Sequence, residues 1–400
     1  MKKSTVFFTV SLLTLGLIAS AIGCQPGAEK ESPPLPPQKA TELAIETWEI
    51  GGSLTYSQEA IKDDILIGMV SELERGKIVR QQIIGYNLHS REQTTIFELP
   101  ADRVVKDPPA VCGDSVVWSS VDRIEDEQQR TTGRVPLPNF DVFLLDLETG
   151  RVQQLTTEVH AQVNPRIFED TLVWLDVRNV EGYYNPQRYD VYAYDIKTKT
   201  EKRLTSVPTA EGRDLSIDGN MVVWTDNRHA DPPMDIHAGN EPGFNNEIYA
   251  YDLSTNQEKR ITDYPGNDRY PFINGNNIVW LRQLYQDYIK ADVFLYDVVT
   301  GKEMQVSTGN YAAYYPTVNG NRVVWADARV SLGNTSGDVV MNGIQGQADI
   351  YLYDLGTKQE IKLSSTKAGD VLANPIIYGD YVVYTSVFMI GTGVYVVQLS

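Results

Sequence analysis

The residues with the clearest chemical potential are charged side chains that follow a repeated tryptophan. Three copies read Trp-x-Asp-x-Arg, which gives the pairs Asp176 and Arg178, Asp226 and Arg228, and Asp327 and Arg329. Residues two apart in a strand point to the same side, so each pair would leave its strand together. One hypothesis is a ring of charges at a channel mouth that binds a ligand. The alternative is structural: each aspartate caps loop amides, and each arginine pairs with it or with a neighbouring element.

The segment 225–246 is a second candidate site, because it concentrates oxygen ligands. It contains Asp226, Asp231, Asp235 and Glu241, together with two of the four histidines of the chain. Carboxylates and asparagine carbonyls suit Ca²⁺, and two histidines with a carboxylate suit a transition metal. The spacing of an EF-hand loop is absent, so a solvated acidic loop is the alternative. No other cofactor is predicted.

Composition and missing motifs exclude several classes of protein. The chain has 35 Lys and Arg against 53 Asp and Glu, for a net charge of −18, which argues against nucleic acid as the main partner. Its two cysteines cannot form a disulfide framework. It contains no G-x-S-x-G, no H-E-x-x-H and no Gly-rich phosphate loop. We therefore predict no catalytic residue, although a pair of carboxylates suited to glycoside hydrolysis cannot be recognised from sequence.

The elements that must position these residues recur about every 50 residues. Five of the six tryptophans end one motif, written CGDSVVW, FEDTLVW, DGNMVVW, NGNNIVW and NGNRVVW, and YGDYVVY is a sixth copy. Each copy is followed by a segment such as DVYAYDIKTK, and then by one such as EKRLTS. A further segment, often opening with proline, precedes the motif. Short alternating segments bounded by Gly, Asn and Asp predict a four-stranded antiparallel meander, with the proline at the first residue of the inner strand.

Residues 42–400 contain seven such copies. They begin near Ser57, Pro109, Pro165, Asp214, Pro271, Pro316 and Pro375. Sheets that are apolar on both faces are buried by radial stacking, so the predicted fold is all-β, a seven-bladed β-propeller of four-stranded antiparallel blades. The last copy ends on its third strand. We expect residues 42–50, with Trp48, to supply the missing strand and close the ring.

The repeat resembles those of TolB-like β-propellers of the prokaryotic cell envelope. The resemblance rests on the Pro-led strand, the GD or NG turn, VVW-x-D-x-R and DIYxYDLxTG, and it covers about residues 57–400. It implies a fold used mostly in envelope-associated binding and assembly. The first copy lacks the tryptophan, and the seventh lacks the linked Asp and Arg.

The N-terminal residues have the pattern of a targeting signal followed by a spacer. Lys2 and Lys3 precede an apolar run that ends in Ala-Ile-Gly-Cys24, which resembles the lipobox of bacterial lipoproteins and implies a signal peptide over 1–23 and lipidation of Cys24. An ordinary signal peptide cut near Ala21 is the alternative. Residues 24–41 contain five prolines and form an extended tether.

Together these features favour a lipid-anchored, non-enzymatic and monomeric propeller outside the cytoplasmic membrane, periplasmic or on the cell surface. Its expected partner is an envelope protein or polysaccharide, and the membrane is contacted through the lipid alone. The long second-to-third strand connections share one face, where we expect binding. The alternatives are a carbohydrate-active hydrolase or lyase that uses loop carboxylates or a metal, and a surface-layer component that self-associates.

Overall fold

The computed structural model describes sixteen segments of the chain. They are residues 4–6, 45–50, 54–75, 77–105, 107–123, 139–179, 189–206, 210–229, 245–284, 290–307, 312–328, 340–341, 344–345, 348–364, 371–388 and 391–399. The predicted residues Cys24, Asp231, Asp235, Glu241 and Arg329 lie outside these segments. Among the described residues, no helix is long and apolar enough to cross a membrane.

Seven antiparallel sheets of at least four strands form the seven blades. Blades 3 to 5 are simple meanders: β13 to β16 (Gln162–Phe168, Thr171–Asp176, Asp190–Asp195, Thr200–Arg203), β17 to β20 (Ala210–Asp218, Met221–Asp226, Glu247–Asp252, Gln257–Arg260) and β21 to β24 (Gly266–Asn274, Asn277–Leu284, Ala291–Asp297, Lys302–Gln305). Blade 6 has β25 (Ala313–Asn319), β26 (Arg322–Asp327), β29 (Asp349–Asp354) and β30 (Gln359–Lys362), with the small hairpin β27 (Val340–Met341) and β28 (Ile344–Gln345) between its second and third strands.

Blades 1 and 2 have an inner strand that is divided into two pieces. Blade 1 contains β3 to β7 (Leu54–Thr55, Ile61–Lys62, Ile65–Glu74, Lys77–Asn87, Gln93–Glu98), and blade 2 contains β8 to β12 (Arg103–Val105, Ala110–Cys112, Ser115–Asp122, Asp141–Asp146, Val152–Gln154). Each pair of short pieces lies against a single long second strand.

Blade 7 joins the two ends of the chain, as the sequence predicted. It contains β31 (Val371–Tyr378), β32 (Tyr381–Phe388), β33 (Gly391–Leu399) and the outer strand β2 (Ile45–Ile50). β2 pairs with β33 from Ile45↔Leu399 to Ile50↔Val394. A further strand, β1 (Ser4–Val6), pairs with β2, but it belongs to the predicted signal peptide, and the blade keeps four strands without it.

The partly buried Trp48 packs between blade 7 and blade 1. Its ring meets that of Tyr381 edge-on, with centroids 6.4 Å apart, and the guanidinium of Arg91 lies 4.1 Å from its centre. Arg91 also pairs with Glu46 of β2, at 2.7 Å. The closing strand is therefore held to blade 1 by packing and charge as well as to blade 7 by the sheet.

The other repeated tryptophans are core residues. Trp174, Trp224, Trp280 and Trp325 are fully buried, and each lies in a cluster that also contains apolar residues of an adjacent blade. Each tryptophan also stacks on the aromatic residue opposite it on the third strand, as Trp174 does on Tyr192 with centroids 6.0 Å apart. Burying such rings stabilises folding by roughly 2–3 kcal/mol each relative to exposure, so the repeat motif is explained by inter-blade packing.

Four of the five prolines occupy a different place from the predicted one, whereas Pro109 directly precedes β9. Inner strands begin three to five residues before Pro165, Pro271, Pro316 and Pro375, and each strand has a register shift at its proline. The preceding residue has a positive φ of 54° at Asn164, 57° at Tyr270, 50° at Tyr315 and 49° at Asn374. A proline lacks an N–H and is tolerated at a bulge. These inner strands therefore begin earlier in the chain than the predicted strands, which were expected to open with proline.

At four of the seven blade junctions, hydrogen bonds that we call the inter-blade ladder link the turns between first and second strands of neighbouring blades. The side chain before the turn accepts a backbone N–H of the next blade. Asp218 accepts from Gly275, Asn274 from Gly320, Asn319 from Gly379, and the thiol of Cys112 from Glu169. The partly buried Cys112 therefore has a structural role, as an acceptor, and burial raises the pKa of its thiol.

Removing two rungs of the ladder should destabilise the ring measurably. We expect Asn274→Ala with Asn319→Ala to lower the free energy of unfolding by about 1–2 kcal/mol, since each replaced side chain leaves a backbone N–H without its acceptor. Urea unfolding followed by tryptophan fluorescence measures this. The exposed turn residue Asn321 provides the control, and an equal effect of Asn321→Ala would contradict the ladder.

Candidate functional site

The predicted Asp and Arg pairs form one compact unit inside each of blades 3 and 4. In blade 3, Asp176 is fully buried. It accepts a hydrogen bond from Trp174 Nε1 at 3.0 Å, and its other oxygen accepts the backbone N–H of Arg178 at 2.8 Å. The guanidinium of Arg178 closes on the same carboxylate at 2.7 and 2.9 Å. The aspartate therefore holds the base of the long loop to the strand.

The arginine of each unit also contacts an aromatic ring and an acid of the outer strand. The guanidinium of Arg178 lies 4.4 Å from the ring centre of Tyr192 and reaches Glu201 of the outer strand at 2.8 Å. Arg228 repeats this arrangement, 4.1 Å from Tyr249 and 2.5 Å from Glu258. Trp, Tyr, Arg and two carboxylates thus form a layered unit that spans three strands of one blade.

Charge balance within the unit is visible in the pKa of Asp226. Burial alone would raise this pKa, but hydrogen bonds from Arg228 and Trp224 outweigh burial and lower it below the ordinary value. The carboxylate is thus ionised at neutral pH and paired with donors of its own blade.

Blade 5 contains the same unit with its charges exchanged. Arg282 stands where the other blades have aspartate, and it forms a bidentate pair with Asp268 of the inner strand at 2.8 Å for both bonds. It also reaches Glu303 of the outer strand at 2.6 Å and lies 4.2 Å from the ring centre of Phe294. The geometry is retained although the acid comes from a different strand.

The structure does not bring the predicted ligand-binding residues together. Asp176, Asp226 and the buried Asp327 lie at the ends of second strands in three blades, and Trp325 Nε1 donates to Asp327 at 3.1 Å as in the other units. No group of three or more His, Cys, Asp or Glu side chains suited to a metal occurs among the described residues. Of the predicted calcium ligands, Asp226 is bonded as above, and the other three lie outside the described residues.

A second set of buried acids was missed by sequence reasoning. In blades 2 to 6 the first or second residue of the third strand is acidic, and a Thr or Ser hydroxyl 15 residues later donates to its carboxylate. In blade 3, for example, Thr205 Oγ1 donates to Asp190 at 2.6 Å, and Arg203 also binds Asp190 at 2.8 Å. The constant interval of 15 residues between the acid of DVYAYD and the Thr of RLT is a signal that could have revealed these pairs.

The inner-strand bulges lie at one level of the ring, because each bulge proline stands three residues before the last residue of its inner strand. Two of the positive-φ bulge residues are tyrosines, and the rings of Tyr270 and Tyr315 meet edge-on with centroids 5.6 Å apart. Tyr314 lies 6.5 Å from Tyr315, and the guanidinium of Arg269 lies 5.3 Å from the ring centre of Tyr270. This cluster could not be predicted from the sequence, because proline was expected at the strand start and its neighbours were not expected to share a level.

Below this level an ion pair bridges three blades across the channel. Glu59 of blade 1 lies 2.9 Å from Arg166 Nε of blade 3 and accepts a hydrogen bond from Ser216 of blade 4 at 3.0 Å. Burial raises the pKa of Glu59, while Arg166 and Ser216 act against this rise. Arg166 follows the bulge at Pro165 in β13, so the pair lies between the level of the bulges and the tight turns.

Solved structures with similar folds are β-propellers of diverse origin. The β-propeller domain of the trilobed protease from Pyrococcus furiosus, described as having an open velcro topology, has a TM-score of 0.56 at 12% identity, and the match covers 86% of this chain and 97% of that one. Oligogalacturonate lyase from Vibrio parahaemolyticus has a TM-score of 0.54 at 12% identity, with 90% and 94% covered. TolB from Acinetobacter baumannii is also similar, with a TM-score of 0.39 at 14% identity and 84% and 80% covered.

The similarities to the protease propeller domain and to the lyase confirm the predicted propeller fold and carry no activity across. No protein-family model and no curated relative matches the sequence. Any function must therefore be argued from the residues of this chain.

The exchanged unit in blade 5 provides a test of how these charges act. We expect Arg282→Met to lower the free energy of unfolding by about 3 kcal/mol, because Asp268 is left buried without its partner. Adding Asp268→Asn should restore at least about 1 kcal/mol of that loss. A double-mutant cycle in urea measures the coupling.

The exposed pair Arg322 and Asp380 is the matched control. Arg322→Met should cost less than about 1 kcal/mol. Equal costs at Arg282 and Arg322, or a coupling near zero between Arg282 and Asp268, would contradict the structural role.

Proposed function

We propose that the chain is a lipid-anchored envelope propeller that binds a polysaccharide, without turning it over, at the long-loop end of its channel. The observation that carries this proposal is the pair Tyr270 and Tyr315, held at positive φ in the channel wall. Left-handed backbone is unfavourable for bulky residues, and such strain concentrates at functional sites. The same bulge carries asparagine in blades 3 and 7, so the fold itself does not require an aromatic ring there.

The chemistry of this level suits sugars. Tyrosine rings offer apolar faces with polar tips, and the C–H faces of pyranose rings are apolar, whereas their hydroxyls need hydrogen-bond partners. Arg269 beside Tyr270 and the buried Asn164, whose Nδ2 has no hydrogen-bond partner among the described residues, supply such partners. A neutral or weakly acidic glycan also fits a protein whose large negative charge would repel polyanions.

The N-terminal residues support the proposed lipid anchor and the proposed location of the propeller. The lipobox-like sequence ending at Cys24 and the proline-rich tether at 24–41 support display of the propeller outside the cytoplasmic membrane. A tether of this composition reaches about 3 Å per residue, enough to hold the channel mouth clear of a membrane surface.

A binding role is favoured over the enzymatic alternative by the bonding of the acids near the long-loop face. Asp176, Asp226, Asp190, Glu247 and Asp268 each hold an arginine of the same blade. A retaining or inverting glycosidase needs two carboxylates that face one substrate bond. Carboxylates committed to ion pairs inside separate blades do not meet that need.

Substitutions at the bulge test the proposal without altering the fold. We expect Tyr270→Asn and Tyr315→Asn each to weaken binding to polysaccharide from the envelope of the producing cells by tenfold or more, because stacking surface is lost. Asparagine is the residue that blades 3 and 7 use at this backbone position, so the variants should fold normally. Affinity electrophoresis of residues 41–400 in gels containing the polysaccharide gives the dissociation constants.

Tyr378→Asn, which removes a ring at the opposite end of the channel, is the control and should bind as the unmodified chain does. Unchanged binding by both bulge variants, or no binding by the unmodified chain, would refute the proposal. Release of shorter glycans during the assay would support a carbohydrate-active enzyme instead.

A further inference from the structure

The tight-turn end of the channel, opposite to the predicted binding face, contains a cavity of about 210 Å³ that is partly open to solvent. One β-branched apolar residue from every blade contributes to its wall, and we call this set the apolar collar. Its members are Ile61, Val111, Ile167, Ile217, Ile273, Val318 and Ile377. Pockets that are mostly apolar with a few placed polar groups are the usual sites for small ligands.

The acid at the floor of this cavity is part of an ion pair. Glu59 lines it, and its carboxylate is balanced by Arg166 and by the hydroxyl of Ser216, as described above. An incoming ligand therefore meets a wall of branched hydrocarbon and a floor whose acid is already neutralised.

The rim, in contrast, carries one acid without a cation. Asp218 is half-buried, and its one hydrogen bond among the described residues comes from the backbone N–H of Gly275 at 2.6 Å. No Lys or Arg of the described residues lies within ion-pair distance of it. Burial raises the pKa of its carboxyl, as expected for an acid that lacks a compensating charge.

The charge of Asp218 is not needed for the inter-blade ladder. Blades 5 and 6 have Asn274 and Asn319 at the same position, and these accept the equivalent N–H at 3.1 Å in both cases. A neutral amide therefore accepts the same inter-blade hydrogen bond in two neighbouring blades. The extra negative charge at the edge of an apolar cavity thus costs desolvation without contributing to the ring.

Two aromatic side chains also line the cavity at the level of Asp218. Phe168 belongs to blade 3 and Tyr378 to blade 7, so they approach the opening from different sides. A carboxylate combined with aromatic faces is the chemistry that recognises ammonium groups.

We propose that this cavity is a binding site for an organic ammonium ion with a compact apolar body. The apolar body occupies the collar, and the ammonium group remains at the aromatic-lined rim, where it pairs with Asp218. The site lies at the opposite end of the channel from Tyr270 and Tyr315, so it is independent of polysaccharide binding.

Calorimetric titration of residues 41–400 with cyclohexylmethylammonium tests the charge requirement. Asp218→Asn should weaken binding at least tenfold while it keeps the hydrogen bond from Gly275. Cyclohexylmethanol, which has the same body without the charge, should bind weakly and equally to both proteins. The matched control is Asp170→Asn, an acid in the corresponding turn of blade 3 that pairs with Lys197, and it should leave affinity unchanged.

Isoleucine methyl NMR tests the location, because five of the seven collar residues are isoleucines. The ammonium ion should shift the δ1 methyl signals of Ile61, Ile167, Ile217, Ile273 and Ile377, and leave that of Ile78 in blade 1 unmoved. No binding by the unmodified protein, equal binding by Asp218→Asn, or shifts outside the collar would each overturn the proposal. The last result would indicate general attraction of cations to the acidic surface.

Discussion

Every blade is a sheet whose two faces are both apolar, and the need to cover both faces governs the molecule. A linear stack would leave two faces in water, whereas a ring leaves none. The ring exists only if the last sheet meets the first, so the pairing of Ile45–Ile50 with β33 is the contact on which the arrangement depends. Trp48, Arg91 and Glu46 add packing and charge across the same junction.

The charges that looked most like a ligand site support this scaffold instead. Asp176 and Asp226 fasten their own loops, and Arg178 and Arg228 connect second, third and outer strands of one blade. In blade 5, Arg282 and Asp268 form the same kind of ion pair with the charges exchanged. The arrangement is therefore retained even where the position of each charge is not. Because the loop bases are rigid, the surfaces where the blades differ from one another are the two ends of the channel. Blades 5 and 6 contribute tyrosines at one end, and at the other blade 4 contributes Asp218, an acid without a Lys or Arg partner among the described residues.

Much of the fold could be predicted because its signals are local. The VVW motif, the NG and GD turns and the incomplete seventh copy were enough for blade number, strand order and closure by residues 42–50. The bulges at Tyr270 and Tyr315 could not be placed, since proline at a strand start and proline at a bulge produce the same sequence. Asp190 and Thr205, in contrast, were readable from their repeated interval but were overlooked.

The candidate sites were harder to predict because they depend on positions that only the closed ring makes neighbours. Glu59 and Ser216 are 157 residues apart in the chain, and they meet across the channel. The collar takes one side chain from each of seven strands that look alike in sequence. The tight-turn face has only short turns, so no cavity was predicted there. The long loops predicted binding at the opposite face.

Hydrogen–deuterium exchange on two versions of the chain tests the closure most directly. One version comprises residues 41–400, and the other begins at Leu54 and so lacks β2. We expect removal of β2 to abolish protection of the β33 amides and to lower protection in β5 of blade 1, while blades 3 and 4 are affected least. Unchanged protection of β33 and β5 in the shorter chain would contradict the claim that this strand holds the ring closed.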